Sequence, residues 1–170
     1  MLSHRYTHPY TRLCAALSKA CLMLAVALLL AVIACVQWQV FGRYVLNDTP
    51  TWAEALAMLL VLFVTAFGLA VGVRDAGHIG LESMVALLPP VWQRRMEVLI
   101  HALVGLFGGL MAHGGWTWAA AKWSEKKPML PVPDGIDYVP LVIAGVLIVL
   151  FSIEHILANL QGRKVEPAWN

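Results

Sequence analysis

The sequence predicts an all-α integral membrane protein: one domain over residues 1–170, with four transmembrane helices and a short amphipathic interfacial helix between the second and third. Three observations predict it. Hydrophobic residues make up 60% of the chain and charged residues 13%, with a mean hydropathy of +0.73. Soluble domains carry about half and about a quarter, and so small a soluble domain has no interior large enough to hide the excess. Uncharged apolar runs recur at Ala20–Val36, Ala55–Val73, Val98–Ala121 and Tyr138–Ile153, each near the roughly 20 residues that cross a bilayer core as helix. Lysine and arginine gather on alternate connections between these runs. The net charge of +2 and the absence of a basic, aromatic-laced patch exclude nucleic acid as a partner.

Backbone groups in lipid must bond within their own segment, so the runs are read as helices, at about 13–40, 52–73, 94–121 and 137–159. The first run shares features with a signal peptide, and Val32-Ile33-Ala34-Cys35 is like a lipoprotein cleavage box. The long basic leader and the continuation to Val40 predict a retained helix instead. The connection Tyr44–Thr51 is short, so helices one and two form a tight hairpin. Thr51 is read as the N-cap of helix two, with Glu54 at capping-box spacing. Arg43, at the end of helix one, is placed to pair with Glu54 or Asp48. Leu81, Met84, Val85 and Leu88 recur at helical spacing and predict an interfacial arm over about 78–88, stopped by Pro89-Pro90. It is expected to lie flat on membrane lipid or against a partner. Pro128, Pro131 and Pro133 predict a stiff, extended connection after helix three.

Orientation follows from the cations. Arg5, Arg12, Lys19, Arg74, Arg94, Arg95, Arg163 and Lys164 fall on one side, and Arg43, Lys122, Lys126 and Lys127 on the other. The richer side is the cytoplasmic one, so both termini are expected there. Trp38, Trp52, Trp116, Trp118 and Trp123 would sit at the outer interface and Trp92 at the inner one, where indole rings favour a half-wet belt.

The spans carry little chemistry. Cys14, Cys21 and Cys35 form no metal or redox motif and read as small apolar side chains. Gly68 and Gly72, the set Gly105, Gly108, Gly109 and Ala112, and the set Ala27, Ala31 and Cys35 allow close helix approach, within this chain or against another. His155 can match His101 in depth while nothing matches His113, so a b-type cytochrome subunit with one haem is a rival reading. An autonomous tetraspan channel or exporter is another. It lacks the midplane aspartate, glutamate, lysine or arginine that such a path uses. No catalytic residue, metal ligand or cofactor site is expected, and the chain is read as a subunit that holds something else.

Several stretches resemble the small membrane subunit of tripartite ATP-independent periplasmic (TRAP) transporters. They are Phe41-Gly42-Arg43-Tyr44-Val45, then Pro50, Trp52 and Glu54, Gly68 in the second span, Arg74-Asp75-Ala76-Gly77-His78-Ile79, and Pro89. The likeness covers nearly the whole chain. It departs from the family where Ala53 precedes a single Glu54, a place where many members carry two acidic residues. The resemblance implies a bacterial inner-membrane, multi-pass subunit that scaffolds a large multi-helix membrane subunit. That partner binds substrate and sodium, and a periplasmic solute-binding protein delivers an organic acid. It also implies subunit-interface or structural roles for Arg43, Trp52, Glu54, Gly68, Arg74 and His78.

Overall fold

A computed structural model of the chain describes residues 9–48, 50–76, 89–162 and 165. Helix α1 runs Pro9–Phe41, α2 Thr51–Val71, α3 Pro90–Ala121 and α4 Val139–Leu160. Each is long and apolar enough to cross a membrane. The expected arm at 78–88, with His78, lies outside the described residues.

The four predicted spans are present, and α1 and α3 each begin four residues earlier than expected. α1 has 33 residues and α3 has 32. At 1.5 Å per residue each is about 50 Å long, well beyond a hydrocarbon core of roughly 30 Å. The apolar runs marked only the part of each helix that needs lipid. α1 and α2 both close in a widened π turn, Gly42–Leu46 and Gly72–Ala76. Asn47 then takes the left-handed conformation (φ 49°) and donates its N–H to Gly42 O, as a short polar side chain allows. Gly42 is buried, and a Cβ there would stand 2.9 Å from Pro50 Cδ and 3.0 Å from Asp48 O. Glycine therefore lets the return strand of this hairpin close.

Two expectations at this end are corrected. Pro50, not Thr51, holds the N-cap position of α2, and no side chain caps the helix. The register is one residue earlier than a capping box requires, because Ala53 N–H already reaches Pro50 O at 3.0 Å. The connection 122–138 also folds back on itself. Lys126 and Pro133 form an antiparallel bridge, Asp134 N–H donates to Glu125 O (2.8 Å) and Gly135 N–H to Lys122 O (3.1 Å). Met129 turns the tip at φ 68°, and a 3₁₀ turn, Asp134–Tyr138, leads into α4. Lys122 pairs with Glu125 (2.9 Å) and Asp134 (3.6 Å), and Lys127 with Asp137. The Glu125 hydrogen bond raises the Lys122 pKa above its ordinary value. The prolines stiffen the loop, and these ties bend it.

α1 packs along α2, α3 along α4, and α2 meets α4, so the helices form a row α1–α2–α4–α3. Only 11% of the apolar window of α1 and of α3 is buried, against 28% in α2 and 39% in α4. The outer two helices thus present most of their surface to lipid or to another chain. The six tryptophans named above are exposed, five toward the loop end and Trp92 toward the end that carries both termini. The core sits where α1, α2 and α4 meet near that termini end, built from Cys14, Cys21, Ala70, Val71, Leu147 and Phe151. All three cysteines are free.

Candidate functional site

Below that core lies the one ion cluster buried in the spans among the described residues. α2 ends on Arg74 and Asp75, and Glu154 stands two turns before the end of α4. Arg74 is 1% exposed and Glu154 2%. The guanidinium donates from Nε to Glu154 Oε2 (2.9 Å) and from Nη2 to Glu154 Oε1 (3.1 Å), the fork-to-fork geometry that fits arginine to carboxylate. Its Nη1 donates to Asp75 Oδ1, and Ser18 Oγ of α1 donates to Asp75 Oδ2. The Phe151 ring packs beneath the guanidinium, 6.0 Å from its centroid. His155 Nε2 bonds Arg74 O at 2.9 Å, and Tyr10 OH donates to Leu150 O at 2.7 Å. Three helices are therefore tied at one level. Charges buried in lipid are costly unless paired and bonded, and here the one guanidinium bonds both carboxylates.

The arrangement fastens rather than reacts. The carboxylates are occupied by arginine and serine donors, and among the described residues no group of three metal-ligating side chains converges. His101 and His155, the pair expected to match in depth, do meet, with rings stacked 4.3 Å apart at 9°. A histidine ligates iron through a lone pair in the ring plane. Stacked rings at this spacing leave no width for a macrocycle between them, so the pair does not fit a bis-histidine haem. His113 is exposed on α3.

The other expected site residues fall elsewhere. Arg43, Trp52 and Glu54 are all exposed at the loop end. Among the described residues no ion pair joins Arg43 to Glu54 or Asp48; instead Gln39 Nε2 donates to Glu54 at 3.3 Å. Arg43 lies within the π turn Gly42–Leu46, with its side chain exposed. Gly68 is exposed with open space over its Cα. Of the five named residues that lie among the described ones, only Arg74 enters the buried cluster. Its partner Glu154 was missed. The available signal was that α2 and α4 end on the same side, so their inner-end charges share a level.

Residues 32–162 match the family described as tripartite ATP-independent periplasmic transporters, DctQ component. The chain belongs to this family. It is 31% identical over 134 residues to the sialic acid TRAP transporter small permease protein of Vibrio cholerae, covering 79% of this chain and 78% of that one. It is 31% identical over 77 residues to the C4-dicarboxylate TRAP transporter small permease protein of Pseudomonas aeruginosa, covering 45% of this chain and 37% of that one. A third likeness, 29% over 77 residues, is to the sialic acid TRAP transporter permease protein of Haemophilus influenzae; it covers 45% of this chain but 12% of that longer one. The resemblance seen in the hairpin and the Arg74-Asp75 stretch thus extends through most of the spans, and the chain is a multi-pass member of a family of transporter components.

Proposed function

We propose that this chain is the non-catalytic small membrane subunit of a TRAP-type secondary transporter, bracing a large permease subunit during sodium-coupled uptake of an organic acid. One observation carries the reading within the chain: the apolar runs 20–36, 55–73, 98–121 and 138–153 hold no Asp, Glu, Lys or Arg, and beside them Arg74 bonds both Asp75 and Glu154 in a closed cluster, which leaves no charge at mid-depth to carry a solute. A transporter's own path would hold open ionisable groups or broken helices at mid-depth. The relatives named for sialic acid and for C4-dicarboxylates support a carboxylate substrate, and the permease relative in which a similar stretch is one small part supports a large permease as partner. A periplasmic binding protein completes the system, and both termini face the cytoplasm of the inner membrane.

Proteoliposomes holding this chain alone are expected to take up no carboxylate under a sodium gradient. Deleting it from cells that carry the whole system is expected to abolish uptake of the cognate acid. Uptake by the lone chain, or full uptake without it, would refute the reading. For orientation, a phosphatase reporter after Met129 is expected to be active and one after the C-terminus inactive; the reverse pattern would invert the topology.

A further inference from the structure

We infer that the large subunit docks on one seam of α2, through a transmembrane helix that carries a basic side chain near its loop end. This rests on the subunit reading above and names the face it uses. Glu54, Met58, Val61, Thr65, Gly68 and Gly72 follow one another at steps of four and three residues, the 3.5-residue period by which two helices stay in register along a shared line. The first five are exposed and Gly72 is half-exposed, so among the described residues none covers the line from Glu54 to Gly68. Among the described residues no heavy atom lies within 4 Å of a Cβ placed on Gly68 or Gly72. Small residues at a bare surface let a second backbone approach closely, which is how helices associate in lipid.

The other end of the seam gives the partner its sign. Glu54 opens onto a groove of about 580 Å³ between α1 and α2, walled by Val36, Met58 and Leu62 and roofed by Lys127 and Asp137. Lys127 is already paired with Asp137. Glu54 meets only the neutral amide of Gln39, at 3.3 Å. The groove mouth thus holds two carboxylates against one ammonium, a surplus of one negative charge. A carboxylate at the rim of a lipid-facing groove is best matched by a lysine or arginine from the occupant. The exposed line on α3 differs: Leu103, Leu106, Phe107 and Leu110 are bulky and uncharged, a surface that suits acyl chains. In the H. influenzae permease the similar stretch is 12% of a single polypeptide, so there a permease is the tethered neighbour of such helices.

The test co-expresses the full chain with its cognate large permease and measures how much permease purifies with this chain. Gly68→Leu fills the seam and Glu54→Lys reverses the groove charge. Each is expected to lower recovered permease about tenfold or more while this chain's own yield and melting point stay put, since neither residue is buried. Leu106→Trp on α3 is the matched control and is expected to change nothing. A benzophenone side chain placed at Met58 is expected to give an adduct with the permease, and one at Leu106 none. The seam is overturned if the unaltered chain recovers permease and Gly68→Leu and Glu54→Lys recover it equally well. Adducts at Met58 only with lipid, or only with a second copy of this chain, overturn it too. If the unaltered chain recovers no permease, it is the subunit reading that falls, and the seam falls with it.

Discussion

Arg74→Ala is expected to lower the stability of the isolated, detergent-solubilised chain by about 3–5 kcal/mol, the usual cost of removing one partner from a buried ion pair. Total stabilities run at about 5–15 kcal/mol, so the variant should melt far below the parent or fail to accumulate. The loss does not come from three missing hydrogen bonds alone. Removing the guanidinium leaves Glu154 and Asp75 buried near each other without the cation that bonds them both. Arg74→Lys should recover only part of the loss, because an ammonium cannot hold both Glu154 oxygens in the fork that Nε and Nη2 make. Arg74→Met with Glu154→Met should be milder than Arg74→Ala, since it removes one of the two carboxylates left without a cation and leaves Asp75 with its Ser18 bond. Arg43→Ala is the control. That side chain is exposed and joined to neither Glu54 nor Asp48, so its effect should stay within about 0.5 kcal/mol. A melting curve for Arg74→Ala that overlays the parent's would mean the cluster does not hold α1, α2 and α4 together.

The contrast between these two arginines shows what was legible in the residues and what was not. Four spans, their order and their hairpin pairing follow from hydropathy and length, because lipid leaves a helix no alternative. The close α3–α4 packing was foreshadowed by Gly105 and Gly108. Ion pairing was read wrongly at one end and missed at the other, for one reason. Depth is readable from distance to a span's end, but azimuth is not. Arg43 and Glu54 both sit at the loop end, yet among the described residues no ion pair joins them, and Glu54 meets Gln39 instead. Arg74 and Glu154 share a level and also an azimuth, which depends on how α2 settles against α4. Similarly, Gly68 and Gly105 look alike in sequence. Packing alone determines that Gly105 meets Ser152 while Gly68 meets nothing among the described residues. The Pro50 cap was legible in principle, since a proline just ahead of a helix competes with the threonine that follows it, and the familiar spacing of Thr51 and Glu54 drew the eye one residue too far.

Gly145→Leu is expected to abolish the folded yield, and Gly145→Ala to destabilise the chain by about 1–3 kcal/mol, the range for overfilling a packed site. At this crossing α3 and α4 touch backbone to backbone. A Cβ on Gly145 would stand 2.5 Å from Gly108 O and 2.6 Å from Ala112 N, and one on Gly108 would meet Gly145 O at 2.9 Å. Neither obstacle is the end of a flexible side chain, so the helices must separate to admit a methyl group. In water, a pair of helices pushed apart is still drawn together by the apolar surface at stake. In lipid that drive is absent, and association depends on packing. Because α3 contacts the rest of the bundle chiefly through α4, opening this crossing should release α3 as a unit and leave the α1–α2 hairpin and the Arg74 cluster intact. Partial proteolysis of Gly145→Ala should therefore cut first in the 122–138 connection. Gly109→Ala supplies the opposite sign. It lies one residue from Gly108, with nothing within 4 Å of its added Cβ, and a helical glycine costs about 0.5–1 kcal/mol relative to alanine. Gly109→Ala should melt slightly higher than the parent. Equal effects at positions 109 and 145 would show that helix propensity, and not the close approach to Gly108, governs this interface.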